Sequence, residues 1–333
     1  MPARAQTEVG ALAEFMILIV TISGDLHALR IQQVLRDRGF GECHILECDR
    51  LATDCRVSAT LGANPTAEVV LADGTRINVR EIDLIWWRRV RADQELADMD
   101  VTPDARILIN NDCRGALTGI LTAAFRGKWI SEPDATDRAS NKIFQLDIAK
   151  RCGFRVPETL VSQSASDVAE FVESLAHTRV IVKPVVGVAG PIIFTQFLDD
   201  PRSLADESYR LAPALYQEYI AGTEHIRLNC FGDSSFAAVI ESADLDWRPN
   251  LNVPIKTWTV PAELHTRVRR VLDQLGLAMG IIDLKITPQG EFVWFEVNPQ
   301  GQFLFLEGLT RVPLSDYFAD YLLANATTVP PAS

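Results

Sequence analysis

The chain has 333 residues, of which 47% are hydrophobic and 23% are charged, and its formal net charge is −12. This length accommodates two or three domains with ample cores. The negative charge argues against a general binder of nucleic acid or of anionic membrane surfaces, because both need a positive field. We therefore expect an enzyme or binding protein without a nucleic-acid or membrane partner, in which a local cationic pocket can still bind phosphate.

The cysteines and the N-terminal segment indicate a cytoplasmic protein. None of the six cysteines belongs to a Cys-x-x-Cys pair, so reduced structural thiols are expected. The apolar run over residues 15–22 is too short to span a bilayer, which takes ~20 residues. The residues before it carry little positive charge, which argues against a secretory signal. Residues 1–15 are therefore interpreted as a disordered extension.

The first part of the chain alternates strands with a helix. An amphipathic helix is predicted over residues 27–39, ending at Gly39. The predicted strands and hairpin around it cover residues 16–22, 44–49, 68–79 (turning at Asp73-Gly74) and 82–90. This alternation predicts a small α/β domain over residues 16–130.

The remainder mixes short strands with capped helices. Helices are predicted over residues 135–153, 165–176, 261–275 and 313–324. Strand patterns lie between them, at 156–161, at 178–191 where a strand runs into a glycine-containing loop, and in three runs within 212–242. The tail over residues 326–333 is expected to be loose.

The most informative segment is the ribbon over residues 281–301, in which two alternating runs flank Gln289-Gly290. A two-residue hairpin loop there would place Asp283 opposite Glu296, and Ile281 opposite Asn298. One face would then carry Asp283, Lys285, Trp294, Glu296 and Asn298, and the other Ile282, Leu284, Ile286, Val293, Phe295 and Val297. Oxygen donors grouped in this way suit Mg²⁺. A hairpin with one solvated face explains the same pattern, and both interpretations stay open on this segment alone.

Two lysines are placed where phosphate could be bound. Lys142 lies in a predicted helix, and Lys183 ends an apolar strand just before a loop with Gly187 and Gly190. An ammonium next to loop amides can bind phosphate, although the spacing is not that of a P-loop. A lone lysine at a strand end is equally well explained as a solvated side chain.

A second candidate segment follows the strand at residues 215–220. Its extended backbone could pair with the edge of an adenine, while Glu224 could accept from ribose hydroxyls and Arg227 could face phosphate. A surface pair between Glu224 and Arg227, worth little to stability, is the alternative.

Taken together, the order of these motifs resembles the ATP-grasp superfamily. The matching residues are Lys142, Lys183, Gln217, Glu218, Tyr219, Ile220, Glu224, Arg227, Asp283, Glu296 and Asn298. The resemblance covers about residues 130–325. It implies a fold that is α/β and α+β, with a Rossmann-like pre-ATP-grasp domain, a central subdomain (the lid) over residues 131–214 and a C-terminal subdomain over 215–325.

Four further segments resemble the graspetide macrocyclases, the ATP-grasp ligases that close microviridin-type ribosomal peptides. They are residues 82–89, 129–162, 246–248 and 296–307. In that family an Asp or Glu side chain of a precursor peptide is phosphorylated by ATP. A Ser or Thr hydroxyl, or a Lys amine, of the same peptide then displaces phosphate to form an ester or amide.

The resemblance also implies the cofactors, the partner and the role of each site residue. ATP and two Mg²⁺ ions are expected, with a leader-bearing precursor peptide as substrate and a homodimer as the assembly. The nucleotide would be bound by Lys142, Lys183, Gln217, Glu218, Tyr219, Ile220 and Glu224, and the metal by Asp283, Glu296 and Asn298. Catalytic roles fall to Lys183, Arg227 and Arg248, with Arg248 anchoring the transferred phosphate.

Alternatives remain for the function and for two cationic motifs. The chain could be an ATP-grasp ligase that joins separate molecules, or an ATP-binding regulatory protein without turnover. Arg248 could be a surface arginine stacked on Trp247. Residues 86–91, rich in Trp and Arg, are interpreted by default as a strand end with a cationic rim, and alternatively as part of the peptide-binding side.

Overall fold

The computed structural model describes residues 15–91, 93–96, 99–175, 178–186, 195–198, 206–250 and 252–326. The expectations for the N-terminal extension up to residue 14, for Gly187 and Gly190, and for the tail from residue 327 lie outside these residues. The chain divides into two compact units, one made of residues 1–130 with 313–333 and the other of residues 131–312.

The described elements follow in chain order. The strands are β1 (Ile17–Thr21), β2 (Cys43–Glu47), β3 (Arg56–Thr60), β4 (Thr66–Val70), β5 (Arg76–Asn78), β6 (Leu84–Trp87), β7 (Lys128–Ile130), β8 (Thr159–Ser162), β9 (Val180–Lys183), β10 (Gln196–Leu198), β11 (Ala214–Glu218), β12 (Glu224–Phe231), β13 (Ser234–Glu241), β14 (Ile255–Trp258), β15 (Met279–Ile286) and β16 (Phe292–Asn298). The helices are α1 (Leu26–Asp37), α2 (Pro103–Ala124), α3 (Pro133–Ala139), α4 (Lys142–Arg151), α5 (Ala165–Ser174), α6 (Asp206–Arg210), α7 (Ala262–Leu275), α8 (Leu304–Thr310) and α9 (Leu314–Ala326).

The first unit is built on a parallel sheet with the strand order β2-β1-β6-β7. Strand β1 is buried along its whole length, as expected for a parallel sheet covered on both faces. Helices α1 and α9 pack together in this unit, and the rings of Trp86 and Phe318 lie 4.6 Å apart. A small antiparallel sheet, β3-β4-β5, contains the predicted hairpin, whose turn uses Gly74 at φ +86°.

Three elements of this unit were not predicted, strands β3 and β7 and helix α2. The signal for α2 was present, because the Thr102 hydroxyl accepts from the amide of Ala105 and Pro103 follows at the first helical position. Although α2 has 22 residues, no helix in the described ranges is both long and apolar enough to cross a bilayer. The closing helix α9, expected with the C-terminal subdomain, belongs to the first unit.

The tryptophan- and arginine-rich segment at the end of β6 is an interior feature. Trp86, Trp87 and Arg88 are all buried, and the Arg88 guanidinium pairs with Asp25 at 3.2 Å. The default interpretation of this segment as an exposed cationic rim is therefore wrong for Arg88. The reason is that the side chain has a buried carboxylate to pair with.

The second unit contains two antiparallel sheets. Their strand orders are β10-β9-β11-β8 and β14-β13-β12-β15-β16. One face of the five-stranded sheet packs against α4 and α7 in a core that includes Leu272, Ile282 and Trp294, all fully buried. Because side chains alternate along a strand, the opposite face of β12, β15 and β16 is left for polar residues. The predicted subdomain boundary between residues 214 and 215 lies inside this unit and stays a prediction.

The helix predicted over residues 135–153 is in fact two helices, α3 and α4, separated at Ser140 and Asn141. The Asn141 side chain accepts hydrogen bonds from the amides of Ile143 (2.9 Å) and Phe144 (3.3 Å). Such an N-cap satisfies amides that have no partner within the helix. As a result Lys142 lies in the first turn of α4 rather than in the middle of a longer helix.

Candidate functional site

The β15–β16 hairpin has the pairing predicted at its polar end. Asp283 lies opposite Glu296 and Ile281 lies opposite Asn298. The loop is longer than predicted, because the amide of Thr287 bonds to the carbonyl of Glu291 at 3.0 Å. A β-bulge after Asp283, at the extra residue Phe295, compensates for the longer loop and restores the register.

The bulge exchanges the faces of two aromatic residues, which corrects the prediction. Trp294 is fully buried in the core beside Leu284, and its ring lies 5.1 Å from that of Phe154. Phe295 instead lines the polar face, where the Lys183 ammonium lies 5.9 Å from its ring. Burying the large indole in the core favours this arrangement, since it removes more apolar surface from water.

A cavity of about 280 Å³ covers the polar face of the hairpin. It brings together most of the predicted site residues, although they come from strands and helices far apart in the sequence. Those that line it are Lys142, Lys183, Gln217, Tyr219, Ile220, Arg248, Asp283 and Glu296.

At one end of the cavity two carboxylates are held by cationic side chains. The Arg227 guanidinium donates to both oxygens of Asp283, at 2.9 and 2.7 Å, and to the carbonyl of Gln302 at 3.2 Å. The Lys142 ammonium lies 3.2 Å from a carboxylate oxygen of Glu296. These contacts hold two negative charges side by side without sealing them from the cavity.

The two carboxylates differ in their titration. Burial raises the pKa of Asp283, and the nearby Arg227 only partly offsets that effect. Burial would also raise the pKa of Glu296, but the ammonium groups of Lys142 and Lys183 outweigh it and lower that pKa. Glu296 is therefore the more firmly ionised of the pair, while Asp283 would gain from an added cation.

Lys183, at the end of β9, has an unusual titration for a lysine. Burial lowers its pKa to about 8, with the attraction of Glu296 opposing the shift and the repulsion of Lys142 adding to it. A cation that is partly desolvated in this way interacts strongly with an incoming anion. This is the chemistry expected of a phosphate-binding lysine.

Arg248 lines the cavity and is oriented by Asp246. Its Nε atom donates to an Asp246 carboxylate oxygen at 2.8 Å, and this pairing raises the pKa of Arg248. The Trp247 ring instead packs 6.0 Å from the ring of Phe305. A guanidinium fixed by a carboxylate keeps some of its donors directed elsewhere, which suits phosphate binding.

At the end of β11, the side chains of Gln217 and Glu218 have different surroundings. Gln217 is fully buried and donates to the Thr159 hydroxyl at 2.9 Å. The Glu218 carboxylate turns away, because it pairs with Arg155 at 2.8 Å and accepts from the amide of Glu158 at 3.1 Å. Glu218 does not line the cavity with Gln217.

The backbone amides of the next two residues, Tyr219 and Ile220, differ in their hydrogen bonding. The amide of Tyr219 donates to the carbonyl of Arg179 at 2.8 Å. Within the described part of the chain, the amide of Ile220 has no backbone partner. Tyr219 and Ile220 both line the cavity, so one backbone donor at its wall is available to a ligand.

Besides Glu218, three predicted site residues do not line the cavity. Arg227 lies behind Asp283, as described above. Glu224 is exposed at the start of β12, where strand alternation gives it the orientation of the core residue Ile226. Asn298 is exposed, and its side-chain oxygen accepts from the amide of Gln300 at 3.0 Å. The functional roles of these residues stay predictions.

Two residues that sequence reasoning left without a role also line the cavity, His225 and Lys285. Lys285 was already placed on the polar face of the ribbon, and burial lowers its pKa to about 8. His225 lies opposite it on β12, and burial lowers its pKa to about 4. The alternating pattern of β12, with His225 and Arg227 on one face, was the available signal.

Comparisons with a family model and with solved structures show which known proteins this chain resembles. Residues 16–137 match the family model described as the MvdD pre-ATP grasp domain. The crystal structure of the macrocyclase MdnC from Microcystis aeruginosa MRC, bound with precursor peptide MdnA, is similar with a TM-score of 0.83 and 24% identity, over 93% of this chain and 100% of that one. This chain has the ATP-grasp fold.

A second solved structure has a similar fold. The RiPP-associated ATP-grasp ligase of Chryseobacterium gregarium, in complex with ADP and a leader and core peptide, gives a TM-score of 0.81 at 21% identity, over 95% of this chain and 98% of that one. In sequence, the alpha-aminoadipate–LysW ligase LysX of Sulfurisphaera tokodaii is 23% identical over 67% of this chain and 80% of its own length. The predicted fold class and the resemblance to graspetide macrocyclases are confirmed, and these similarities agree with the prediction of an ATP-grasp ligase.

Proposed function

We propose that this chain is an ATP-dependent ligase that closes ester or amide bonds between side chains of a ribosomal precursor peptide. The observation that carries the proposal is the cavity in which Lys142, Lys183 and Arg248 surround Asp283 and Glu296. Three cations around two carboxylates fit a site that binds a nucleoside triphosphate together with a metal ion. A solvated hairpin face would not need them grouped in one cavity.

The donor set at the carboxylate end fits magnesium. Asp283 on β15 and Glu296 on β16 offer carboxylate oxygens, and Asn298, two residues beyond Glu296 on β16, offers a carboxamide oxygen. All three are of the hard type that Mg²⁺ prefers. The raised pKa of Asp283 is the sign of a carboxylate that lacks enough positive charge around it. When bound, Mg²⁺ would neutralise charge on the β- and γ-phosphates of ATP. Two ions are expected from the resemblance.

The nucleoside would lie at the other end of the cavity, against Tyr219 and Ile220. The Ile220 amide can donate to the adenine edge, while the Tyr219 amide is already engaged. Lys142 and Lys183 would hold the α- and β-phosphates. The ribose contact expected of Glu224 requires this exposed side chain to turn toward the cavity.

The chemistry needs no nucleophile from the protein. A carboxylate oxygen of the peptide attacks the γ-phosphorus, the bond to the β-phosphate oxygen breaks, and ADP leaves. A hydroxyl or amine of the same peptide then attacks the acyl carbon, loses its proton and displaces phosphate. Arg248 would hold the transferred phosphoryl group, and holding both peptide groups together favours the ring closure over hydrolysis.

The expected partner is a precursor peptide with a leader and a core that contains Thr or Ser and Asp or Glu. MdnC was crystallised with a precursor peptide, MdnA, which supports a peptide substrate for this fold. The homodimer and the cytoplasmic location are further parts of the proposal that follow from the resemblance. The choice between ester and amide depends on the peptide.

A second candidate function is a ligase that joins two separate molecules. The observation that favours it is the similarity in sequence to LysX, whose name describes the ligation of alpha-aminoadipate to LysW. Both candidates would share the same cavity and the same phosphorylated carboxylate. They differ only in whether the attacking group belongs to the same molecule.

Mass spectrometry separates the candidates. The protein is incubated with Mg²⁺, ATP and a candidate precursor peptide that contains Thr and Asp or Glu residues. Loss of water from the peptide, with one ADP released per ring, is expected for the proposed function. A gain in mass after addition of free amino acids would favour the second candidate. ADP release without any change in the peptide would contradict both.

A further inference from the structure

The buried lysine at the nucleoside end of the cavity, Lys285, has an unusual environment. Only 2% of the residue is exposed, and it lines the cavity. Its ammonium lies 5.1 Å from the centre of the Tyr219 ring.

Three other cations at or behind the cavity wall have a carboxylate partner, and the charge of Glu296 also acts on the fourth, Lys183. Lys142 pairs with Glu296, Arg227 with Asp283, and Arg248 with Asp246. No ion pair joins Lys285 to any acidic side chain in the described ranges. Because a buried charge without a partner is costly, an acceptor supplied by a ligand would stabilise this ammonium strongly.

Lys285 lies away from the carboxylate end of the cavity. It lies two residues beyond Asp283 on β15, which is roughly 7 Å along a strand. This is the direction of the hinge segment, by which we mean residues 217–222 at and after the end of β11. That segment crosses close to β15 at Gly222, where a Cβ atom would lie 2.6 Å from the carbonyl oxygen of Ile286. The backbone there has φ +124°, which favours glycine. Lys285 is therefore held beneath the hinge.

His225 completes this corner of the cavity. It pairs with Lys285 across β12 and β15, so the two side chains are neighbours on one face. Its Nε2 atom is buried and has no hydrogen-bond partner among the described residues. The corner thus offers the ammonium of a buried lysine, without a carboxylate partner among the described residues, and a buried imidazole nitrogen without a hydrogen-bond partner there.

We propose that Lys285 and His225 form a subsite that reads the nucleobase, in which the Lys285 ammonium donates to N3 or N7 of a purine. The inference rests on the proposed function, because that function places a nucleoside against the hinge. The hinge backbone would pair with the N1 and N6 edge of adenine, which leaves N3 and N7 as the ring acceptors on its other sides. Lys285 is thus a specificity-determining residue of the cavity.

Calorimetric titration with base analogues tests the subsite. The magnesium complexes of ATP, 3-deaza-ATP and 7-deaza-ATP are titrated into the wild type, Lys285→Met and Lys256→Met. Lys256 is a matched control, since it is an exposed lysine on β14 of the same sheet, paired with Glu241 and away from the cavity. Thermal unfolding of each variant is measured in parallel.

We expect the wild type to bind one of the two analogues about tenfold more weakly than ATP, which is the loss of one charged hydrogen bond. Lys285→Met should bind ATP about tenfold more weakly and bind that analogue as it binds ATP. Lys256→Met should behave as the wild type does. Removing an unpaired buried charge should not lower the unfolding temperature of Lys285→Met.

Equal binding of all three nucleotides by the wild type would overturn the subsite, and this measurement needs no variant. Discrimination retained in Lys285→Met would overturn it as well. In both cases ATP binding by the wild type leaves the proposed function standing. Failure of the wild type to bind magnesium–ATP at all would instead contradict the proposed function itself.

Discussion

Each of the two units contains an ion pair between an aspartate and an arginine, and the two pairs differ in how far they are buried. In the first unit Asp25 and Arg88 are 3.2 Å apart, with side chains 1% and 0% exposed. In the second unit Asp283 and Arg227 are 2.7 Å apart, with side chains 21% and 10% exposed. The first pair is sealed, whereas the Asp283 carboxylate lines a cavity.

The pKa values of Asp25 and Asp283 are shifted in opposite directions, which shows the effect of the different surroundings. Burial raises the pKa of both, but hydrogen bonds from His27 and Thr21 and the charge of Arg88 more than offset it for Asp25, whose pKa is lowered. For Asp283 the offset is incomplete, and the pKa stays raised. A carboxylate satisfied by its own protein stabilises the fold. One that is left short of positive charge at a cavity wall is ready for a cation.

The largest effect expected from this comparison is the loss of turnover in Glu296→Gln and in Asp283→Asn. Each change removes a charged oxygen donor from the proposed magnesium site, so the rate of ATP consumption should fall about 100-fold or more. The rate of ADP release with the peptide substrate is measured, and circular dichroism checks the fold. Turnover close to that of the wild type in either variant would refute the metal assignment.

Disrupting the sealed pair of Asp25 and Arg88 should lower the stability of the fold rather than the turnover. Asp25→Asn keeps a residue able to cap α1 but removes the charge that pairs with a buried guanidinium. We expect the free energy of unfolding to fall by about 3–5 kcal/mol, measured by urea denaturation. Glu241→Gln, which breaks the exposed pair with Lys256, serves as the control and should change it by less than about 1 kcal/mol.

Since Asp25 lies outside the cavity, folded Asp25→Asn protein should bind magnesium–ATP as the wild type does. A stability loss no larger than that of the control would show that the sealed pair is not structural. Weaker nucleotide binding at a temperature where the variant is fully folded would show that it belongs to the site.

A smaller effect is expected for Lys183→Met, which keeps the bulk of the side chain and removes its charge. Loss of one contact to phosphate should weaken magnesium–ATP binding about tenfold, measured by calorimetry. Lys256→Met provides a matched control on an exposed lysine. Unchanged affinity in Lys183→Met would contradict its assignment to the phosphates.

The smallest effect is a pH dependence of nucleotide affinity. The pKa values of Lys183 and Lys285 are both lowered to about 8, so both ammonium groups are mainly charged at pH 7 and mainly neutral at pH 9. Because ATP favours the charged form, affinity should fall several-fold as pH rises between these values. The fall should be smaller in Lys183→Met, and a constant affinity in the wild type would contradict the lowered pKa values.

Much of the candidate site could be predicted because it depends on short-range patterns. The alternation along residues 281–298 placed Asp283 opposite Glu296, and the strand ending at Lys183 is a short apolar run. The cavity collects these residues because their strands belong to two neighbouring sheets. The order of these motifs along the chain is the feature on which the resemblance to the ATP-grasp superfamily rests.

The rest depended on packing that a local pattern does not contain. The faces of Trp294 and Phe295 are set by a bulge that lets the indole enter the core. The break before Lys142 depends on a single asparagine cap within a sequence of good helix formers. The importance of Lys285 appears only when its neighbours across β12 and the hinge are known, because a lysine on a polar strand face is ordinarily solvated.

The bulge at Phe295 also lies between the tip of the hairpin and the paired carboxylates. An extra residue absorbs the mismatch between the turn at Thr287–Glu291 and the paired carboxylates. We therefore expect the bulge to absorb a turn that is one residue longer or shorter. Asp283 and Glu296 would then keep their side chains on the same face of the sheet. The tip of this ribbon is a place where insertions, labels or a grafted peptide can be added while the acidic pair stays in place.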